Sequence, residues 1–335
     1  LSDRGSVPEI PGFKANVSQD VKWIFYDVLK KIEQTNINII DLFIYTRGGD
    51  TNAVWPIVSL FREYCEIFNV MVPFRCHSSG TLICLGANKI LMSRLGELSP
   101  IDPTTGNQFN PIDEFQNNRR KGISVEDLTS YFELARENFG IRDNEALEIF
   151  KQLTTNVHPL SLGNVKRVLV QIRLLANKLL ALHMNSRDHE SQIEEIIESL
   201  TVKLFSHLHF INRKEAKKIF SDSIIESPEP ETEKLMLELL QSYMDTLKCE
   251  ESFSVFNELG GQPNRPFDFI SGIIESENTS FIYNTNVSVS QMPNLPPNFN
   301  LNLQLGQPIP IIPGFPRRVT TEILSQGWKN NEGGI

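Results

Sequence analysis

The chain has 335 residues, of which 40% are hydrophobic and 22% charged, with a formal net charge of −9. That is enough apolar material to bury a sizeable core, and it excludes a disordered chain. The acidic balance repels phosphate backbones, so no nucleic acid partner is expected.

Residues 1–20 are aperiodic and read as an irregular arm. Apolar side chains at Val21, Ile24, Phe25, Val28, Leu29 and Ile32 then mark one face of a helix over residues 19–34. Ile39-Ile40-Asp41-Leu42-Phe43-Ile44-Tyr45 reads as a buried, parallel strand ending at Gly48-Gly49. A second helical stripe covers residues 53–68, and Val70–Phe74 is a second strand. Ser78-Ser79-Gly80 leads into a short apolar helix to about Gly86, and Lys89–Met92 is a third strand. Strand and helix in strict alternation predict a parallel sheet covered by helices. Its ligand site is expected at the carboxyl ends of the strands. The turns 47–50 and 77–80 both follow a strand and precede a helix, so they should lie side by side on one rim.

The middle is helical. Ser124 offers an N-cap with Asp127 three residues on, and further helices are expected at 143–154, 163–184, 191–206, 213–220 and 231–247. After about residue 250 the texture becomes β-rich, with strands expected at 267–274, 280–288 and 298–305. Seven of the 19 prolines fall between Pro293 and Pro316. This implies two units: residues 1–250 as the main domain and 251–335 as an irregular β-rich appendage, available to pack on a neighbouring subunit.

The four cysteines (Cys65, Cys76, Cys84, Cys249) have no paired spacing. They fit buried free thiols and a reducing cytoplasm. With no CxxC or HExxH pattern, neither a metal nor a cofactor is expected. No apolar run is long enough to cross a bilayer, and no secretory signal opens the chain. Because the chain begins at Leu1, an upstream anchor is a further expectation to set beside the cytoplasmic one.

Two turns carry the chemistry. In Thr46-Arg47-Gly48-Gly49-Asp50-Thr51 the paired glycines let the backbone turn sharply, and the N–H groups of the following helix start are free to hold an anion or oxyanion. A plain tight turn explains the same residues. Arg47 faces a substrate anion or pairs with Asp50, the pairing being the simpler expectation. In Cys76-His77-Ser78-Ser79-Gly80-Thr81, Ser78 suits either a helix N-cap or a nucleophile on a strand-to-helix corner.

These strings, with Leu98-Ser99-Pro100-Ile101-Asp102-Pro103, Val157–Val165 and Ser206–Ala216, resemble the serine dehydrogenase proteinase family of the Clp protease/crotonase superfamily. The resemblance runs over roughly residues 20–245. It implies a spiral α/β fold of repeated ββα units, homo-oligomers, and peptide-bond hydrolysis by a serine. Carried over, Ser78 is the nucleophile, Gly49 and Ser79 are oxyanion donors, Gly48 is the hinge, and Ser79 is the alternative hydroxyl. A protein or peptide is then the substrate. The chain carries no phosphate-binding loop, so any unfolding of substrates needs a separate ATPase partner.

The resemblance leaves the general base open. The place where the Clp proteolytic subunit carries its His falls near Asp102, 24 residues after Ser78. An aspartate of ordinary pKa is a poor base for a hydroxyl, though it can orient a histidine. His207 or His209 precede a stretch, Phe210–Ala216, similar to one that follows the third triad member. Lys121, in Arg119-Arg120-Lys121-Gly122, falls where the signal peptide peptidase A branch places a lysine, and it would need burial to act as a base. His158 is a further option. Each also has a bland role: satisfied histidines, a solvated basic cluster, a turn anchor, an Asx cap. Two other functions compete. One is a catalytically silent oligomeric scaffold, favoured by the missing His near Asp102. The other is acyl-CoA chemistry as in crotonases, disfavoured by the lack of a basic cluster for CoA.

Overall fold

A computed structural model of the chain describes every residue except 1, 4–9, 11, 14, 33–37, 102–103, 114–118, 143–144, 204–208, 252–253, 260–261, 263, 294–316 and 332–335. The first part alternates as the periodicity implies: α1 (Val21–Ile32), β1 (Ile39–Phe43), α2 (Thr51–Tyr64), β2 (Ile67–Val72), β3 (Arg75–Cys76), α3 (Ser79–Leu85), β4 (Lys89–Met92) and β5 (Glu97–Leu98). The middle contributes α4 (Val125–Glu133), α5 (Ala146–Asn156), α6 (Pro159–Leu180), α7 (Ser186–Glu198), β6 (Ile211–Asn212), α8 (Arg213–Phe220), β7 (Ile225–Glu226) and α9 (Pro230–Thr246).

The main sheet is wholly parallel, in the order β7-β4-β2-β1. Its register runs Ile39↔Ile67 through Phe43↔Met71 and Asn69↔Lys89 through Val72↔Met92. Strand β1 is at the edge, so the buried strand expected there is corrected: Ile39 is half exposed, and among residues 39–43 only Leu42 is buried. Continuous apolarity marks a parallel strand without telling centre from edge. A smaller sheet, β6-β5-β3, sits beside the first, with β3 and β5 parallel and β6 antiparallel.

One core cluster joins α1, α2, α3, α6 and α7 to the main sheet. Val54, Ile57, Val58 and Phe61 of α2 meet Phe68, Val70 and Val72 of β2, while Ile172, Ala176 and Leu179 bring in α6. Burying each of the larger side chains contributes roughly 1.5–3 kcal/mol. The cap expected at α4 is present, the Asp127 N–H donating to Ser124 Oγ at 3.3 Å. Asp50 caps α2, its Oδ1 accepting the Asn52 N–H at 2.9 Å. That corrects the expected Arg47–Asp50 pair: Asp50 is spent on the helix start, and Arg47 is exposed.

The C-terminal segment is more regular than its composition suggests. β8 (Asn264–Ser276), β9 (Thr279–Pro293) and β10 (Arg317–Asn330) form an antiparallel meander, with Ser2–Asp3 added on the β8 edge. The strand expected at 298–305 lies outside the described residues. The meander packs on its own chain. Ile274 and Phe281 enter the main core, and Trp328 Nε1 donates to Asp20 Oδ2 at 3.0 Å. Ile10 and Phe13 of the N-terminal arm are buried against Phe269, Val287 and Val289. No described helix is long and apolar enough to cross a membrane.

Candidate active site

The two turns meet. Thr46 and Cys76 form a parallel bridge, the Thr46 N–H donating to Arg75 O at 2.9 Å and the His77 N–H to Thr46 O at 3.1 Å. This extends the sheet by one rung beyond β1 and brings Gly48 against Ser78. A Cβ on Gly48 would stand 2.8 Å from Ser78 Cβ and 3.4 Å from Ser78 Oγ. Gly48 also has φ +107, a conformation that L side chains avoid.

The glycine turn is clamped from behind by the arm. The Val17 N–H donates to Gly48 O at 3.0 Å, and the Asp50 N–H donates to Val17 O at 2.7 Å. In such a bridge the residue opposite, Gly49, turns its own N–H and C=O to the other side. A Cβ on Gly49 would lie 2.0 Å from Val17 O, so only glycine fits. The Gly48 N–H, by contrast, is taken by Thr46 Oγ1 at 3.0 Å.

Ser78 begins α3 at φ +50 and ψ −110. A non-glycine residue in such a conformation carries about 1–3 kcal/mol of strain. Although it holds the N-cap position, its side chain makes no capping hydrogen bond, so the bland N-cap role is not the one it plays. Ser78 is partly exposed, whereas Ser79 is fully buried with an Oγ that has no hydrogen-bond partner among the described residues. The Ser78 N–H donates to Ser99 Oγ at 2.8 Å. Ser99 stands in a quoted motif but has no role in the sequence reading.

A charged and aromatic group borders the corner. Glu97 Oε1 lies 3.0 Å from Arg75 Nε and 3.2 Å from His77 Nε2, the latter within ion-pair range though not aligned as a hydrogen bond. The His77 ring stacks on Phe210 at 5.2 Å and 14°. Phe210 itself is 49% exposed. The sequence reading missed His77, which lies next to the serine but gave no spacing signal.

The base candidates are scattered. Lys121 Nζ is 3.6 Å from Asp113 Oδ2, with a side chain 55% exposed. His209 Nε2 pairs with Glu215 Oε1 at 2.8 Å. His158 caps α6, its Nδ1 accepting the Leu160 N–H at 3.2 Å while the ring stacks on Phe109, as a turn anchor would. Asp102 and His207 lie outside the described residues. Among the described residues, no imidazole or ammonium nitrogen hydrogen-bonds the Ser78 hydroxyl, and no group of three metal-ligating side chains forms. A cleft of about 1010 Å³ opens elsewhere, between α1, β1 and the β8–β9 turn, and includes no residue of either glycine-rich turn.

Residues 10–132, which hold both turns, match the family model of the ClpP-like SDH-type serine proteinases. This segment is similar to that family. The matched segment holds β1 to β5, both turns and Lys121, while β7 of the main sheet, most of the helical middle and the β meander follow it. Two proteins of Methanocaldococcus jannaschii are similar. The uncharacterized protein MJ1495 is 29% identical over 44% of this chain and 56% of its own length. The uncharacterized protein MJ0137 is 40% identical over 20% of this chain and 23% of its own. The chain thus spans about half of the first relative and about a quarter of the second. Among solved structures, two mutants of the 1510-N membrane-bound stomatin-specific protease align with part of the chain. A lysine-to-alanine mutant in complex with a substrate peptide aligns at TM-score 0.40 and 15% identity, covering 65% of this chain and 74% of that one. A serine-to-alanine mutant aligns at 0.40 and 14%, covering 65% and 78%.

Proposed function

We propose that the chain is a serine hydrolase that cleaves peptide bonds. The observation that carries this reading is the Ser78 corner: a strained serine, uncommitted to capping, against a glycine turn that tolerates no side chain. The match of the segment that contains both turns to the ClpP-like SDH-type serine proteinase model supports it. In this reading Ser78 Oγ attacks the carbonyl carbon, and the carbonyl oxygen takes up negative charge. The N–H groups of Gly49 and Ser79 stabilise that charge, with Gly48 as the hinge. The intermediate collapses to an acyl-enzyme as the amine leaves, and water then releases the acid.

The hydroxyl proton needs an acceptor. Lys121 and His207 are the candidates, with Asp102 orienting His207. Lys121 is exposed and pairs with Asp113, so it would have to leave that pair to reach the hydroxyl. Residues 1–250 form the hydrolase unit of this reading and 251–335 an accessory sheet. The reading further carries a homo-oligomer, a protein or peptide substrate, and an ATPase partner where the substrate must be unfolded.

The test is covalent labelling by a fluorophosphonate, with mass spectrometry to locate the adduct, alongside turnover of an unfolded protein substrate. Ser78→Ala should abolish labelling and lower turnover by about a thousandfold or more. Of Lys121→Ala and His207→Ala, the one that removes the base should match that loss. Full activity in Ser78→Ala sinks the proposal. The second reading, a catalytically silent scaffold, draws on Lys121 and His209 both being held by neighbouring carboxylates, Asp113 and Glu215. It gains if wild-type protein labels nowhere while remaining assembled.

A further inference from the structure

We propose that Ser99 is the positioning residue that fixes the Ser78 corner in its working geometry; this rests on the hydrolase reading above. A left-handed corner at a non-glycine residue persists only where its surroundings over-determine it. At Ser78 the determining contact is identifiable. The Ser78 N–H stands at a helix start, outside the intrahelical ladder. It donates instead to Ser99 Oγ at 2.8 Å.

The direction of that bond is not ambiguous. A serine hydroxyl has one proton, and Ser99 donates it to Pro100 O at 3.0 Å. The oxygen therefore faces Ser78 as an acceptor. A second hydroxyl runs the other way. The Ser99 N–H donates to Thr81 Oγ1 at 3.1 Å, and Thr81 in turn donates to Cys76 O at 2.9 Å. Ser99 and Thr81 are both buried. Together they tie the 99–100 segment to the chain on both sides of Ser78, at Cys76 before it and Thr81 after it.

This arrangement has a chemical consequence. Turning the Ser78 N–H away from Ser99 means rotating the peptide plane before Ser78 and changing φ. That swings Oγ and the Ser79 N–H together relative to the Gly48–Gly49 turn beside them. The Ser99 bond thus sets how the attacking oxygen stands toward the Gly49 N–H, the oxyanion donor on the other turn. It also links the corner to the segment that continues through Ile101, itself anchored by its N–H to Leu200 O at 2.9 Å. The overall fold does not depend on this bond, because the Thr46–Cys76 bridge and the burial of α3 hold the region in place.

The experiment uses the full chain with Ser99→Ala and Ser99→Thr, plus Ser78→Ala as a control. Three quantities are measured: amide hydrogen exchange at Ser78, the rate of fluorophosphonate labelling, and kcat and KM on a peptide. In Ser99→Ala, exchange at Ser78 should rise about tenfold or more, and kcat and labelling should fall about 10- to 100-fold. KM should stay within about threefold and the melting curve should remain cooperative. Ser99→Thr keeps the hydroxyl on the same carbon and should recover most of the loss. The proposal is overturned if Ser99→Ala labels and turns over within about twofold of wild type. It is also overturned if Ser99→Ala and Ser99→Thr lose activity equally and in step with melting temperature. If Ser78→Ala retains turnover, the hydrolase reading has failed and takes the Ser99 role with it. If Ser78→Ala is silent while Ser99→Ala is unaffected, only the Ser99 role has failed.

Discussion

Helices α3 and α5 are both expected from the sequence, α3 as a short apolar run after the Ser78 turn and α5 as part of a helical middle, yet they end in opposite surroundings. Every one of the seven residues of α3 is buried, and none of the eleven of α5 is. Leu147 and Phe150 of α5 stand 57% and 47% exposed. The difference is one of context. α3 is packed between α2 and α6 and against β3, with the Ser78 corner at its start. α5 belongs to an excursion that leaves the core. A helical stripe says that a face exists, and only the tertiary neighbours say what it meets.

The largest expected effect tests that contrast directly. Ile83→Ala, deep in α3, should cost about 2–5 kcal/mol of unfolding free energy, because a cavity remains where the side chain packed. Phe150→Ala, on α5, should stay within about 0.5 kcal/mol in a single chain. Urea unfolding of both variants measures the gap. Similar losses would mean that α5 is covered in solution. A loss at Phe150 that grows with protein concentration would identify a second copy as the cover.

A smaller effect should appear at the corner itself, with the opposite sign. Ser78→Gly relieves the φ +50 strain and should raise unfolding free energy by about 1 kcal/mol. The same change removes the hydroxyl and with it the proposed turnover. Thermal unfolding and labelling, run side by side, should therefore move in opposite directions. A variant that is both destabilised and inactive would show that the corner is not strained in solution.

Much of this architecture is legible in the chain. The alternation from α1 to β4 has long, strongly periodic elements, and parallel βαβ connections force turns 47–50 and 77–80 onto one rim. What escaped detection has no period. Val17 clamps the glycine turn through a single bridge, and one residue cannot show a repeat. The Ser78–Ser99 bond spans 21 residues and depends on a backbone angle, so residue type alone left Ser78 readable as a cap. Two strands of the β meander were legible at 267–274 and 280–288, while β10 escaped because the proline-dense stretch before it dominates local composition. The base stayed open for another reason: four segments offer a titratable side chain at plausible distance in sequence, and spacing cannot choose among them.

The smallest expected effect concerns pH and the far end of α3. His183 Nε2 lies 2.9 Å from the carbonyl of Leu85, the last residue of that helix. Burial pushes the imidazole below its ordinary value; the Leu85 carbonyl pulls it back up, and the nearby Arg62 charge lowers it further. The folded chain therefore binds this proton less readily than the unfolded one. As pH falls through the unfolded value, about 6.5, the unfolded state takes up the proton first and stability is lost. The stabilising difference is complete above that pH. Asp268 also titrates low, held there by its bonds from Asn286 and Asn284, so its contribution is lost only under more acidic conditions. The interval from pH 7.5 to 5.5 consequently isolates the histidine from that carboxylate. The melting temperature should fall across this interval, and His183→Gln, which keeps a donor for Leu85, should flatten the fall. An unchanged slope would mean that His183 is solvated and that α3 is less tightly seated at its carboxyl end than at the Ser78 corner.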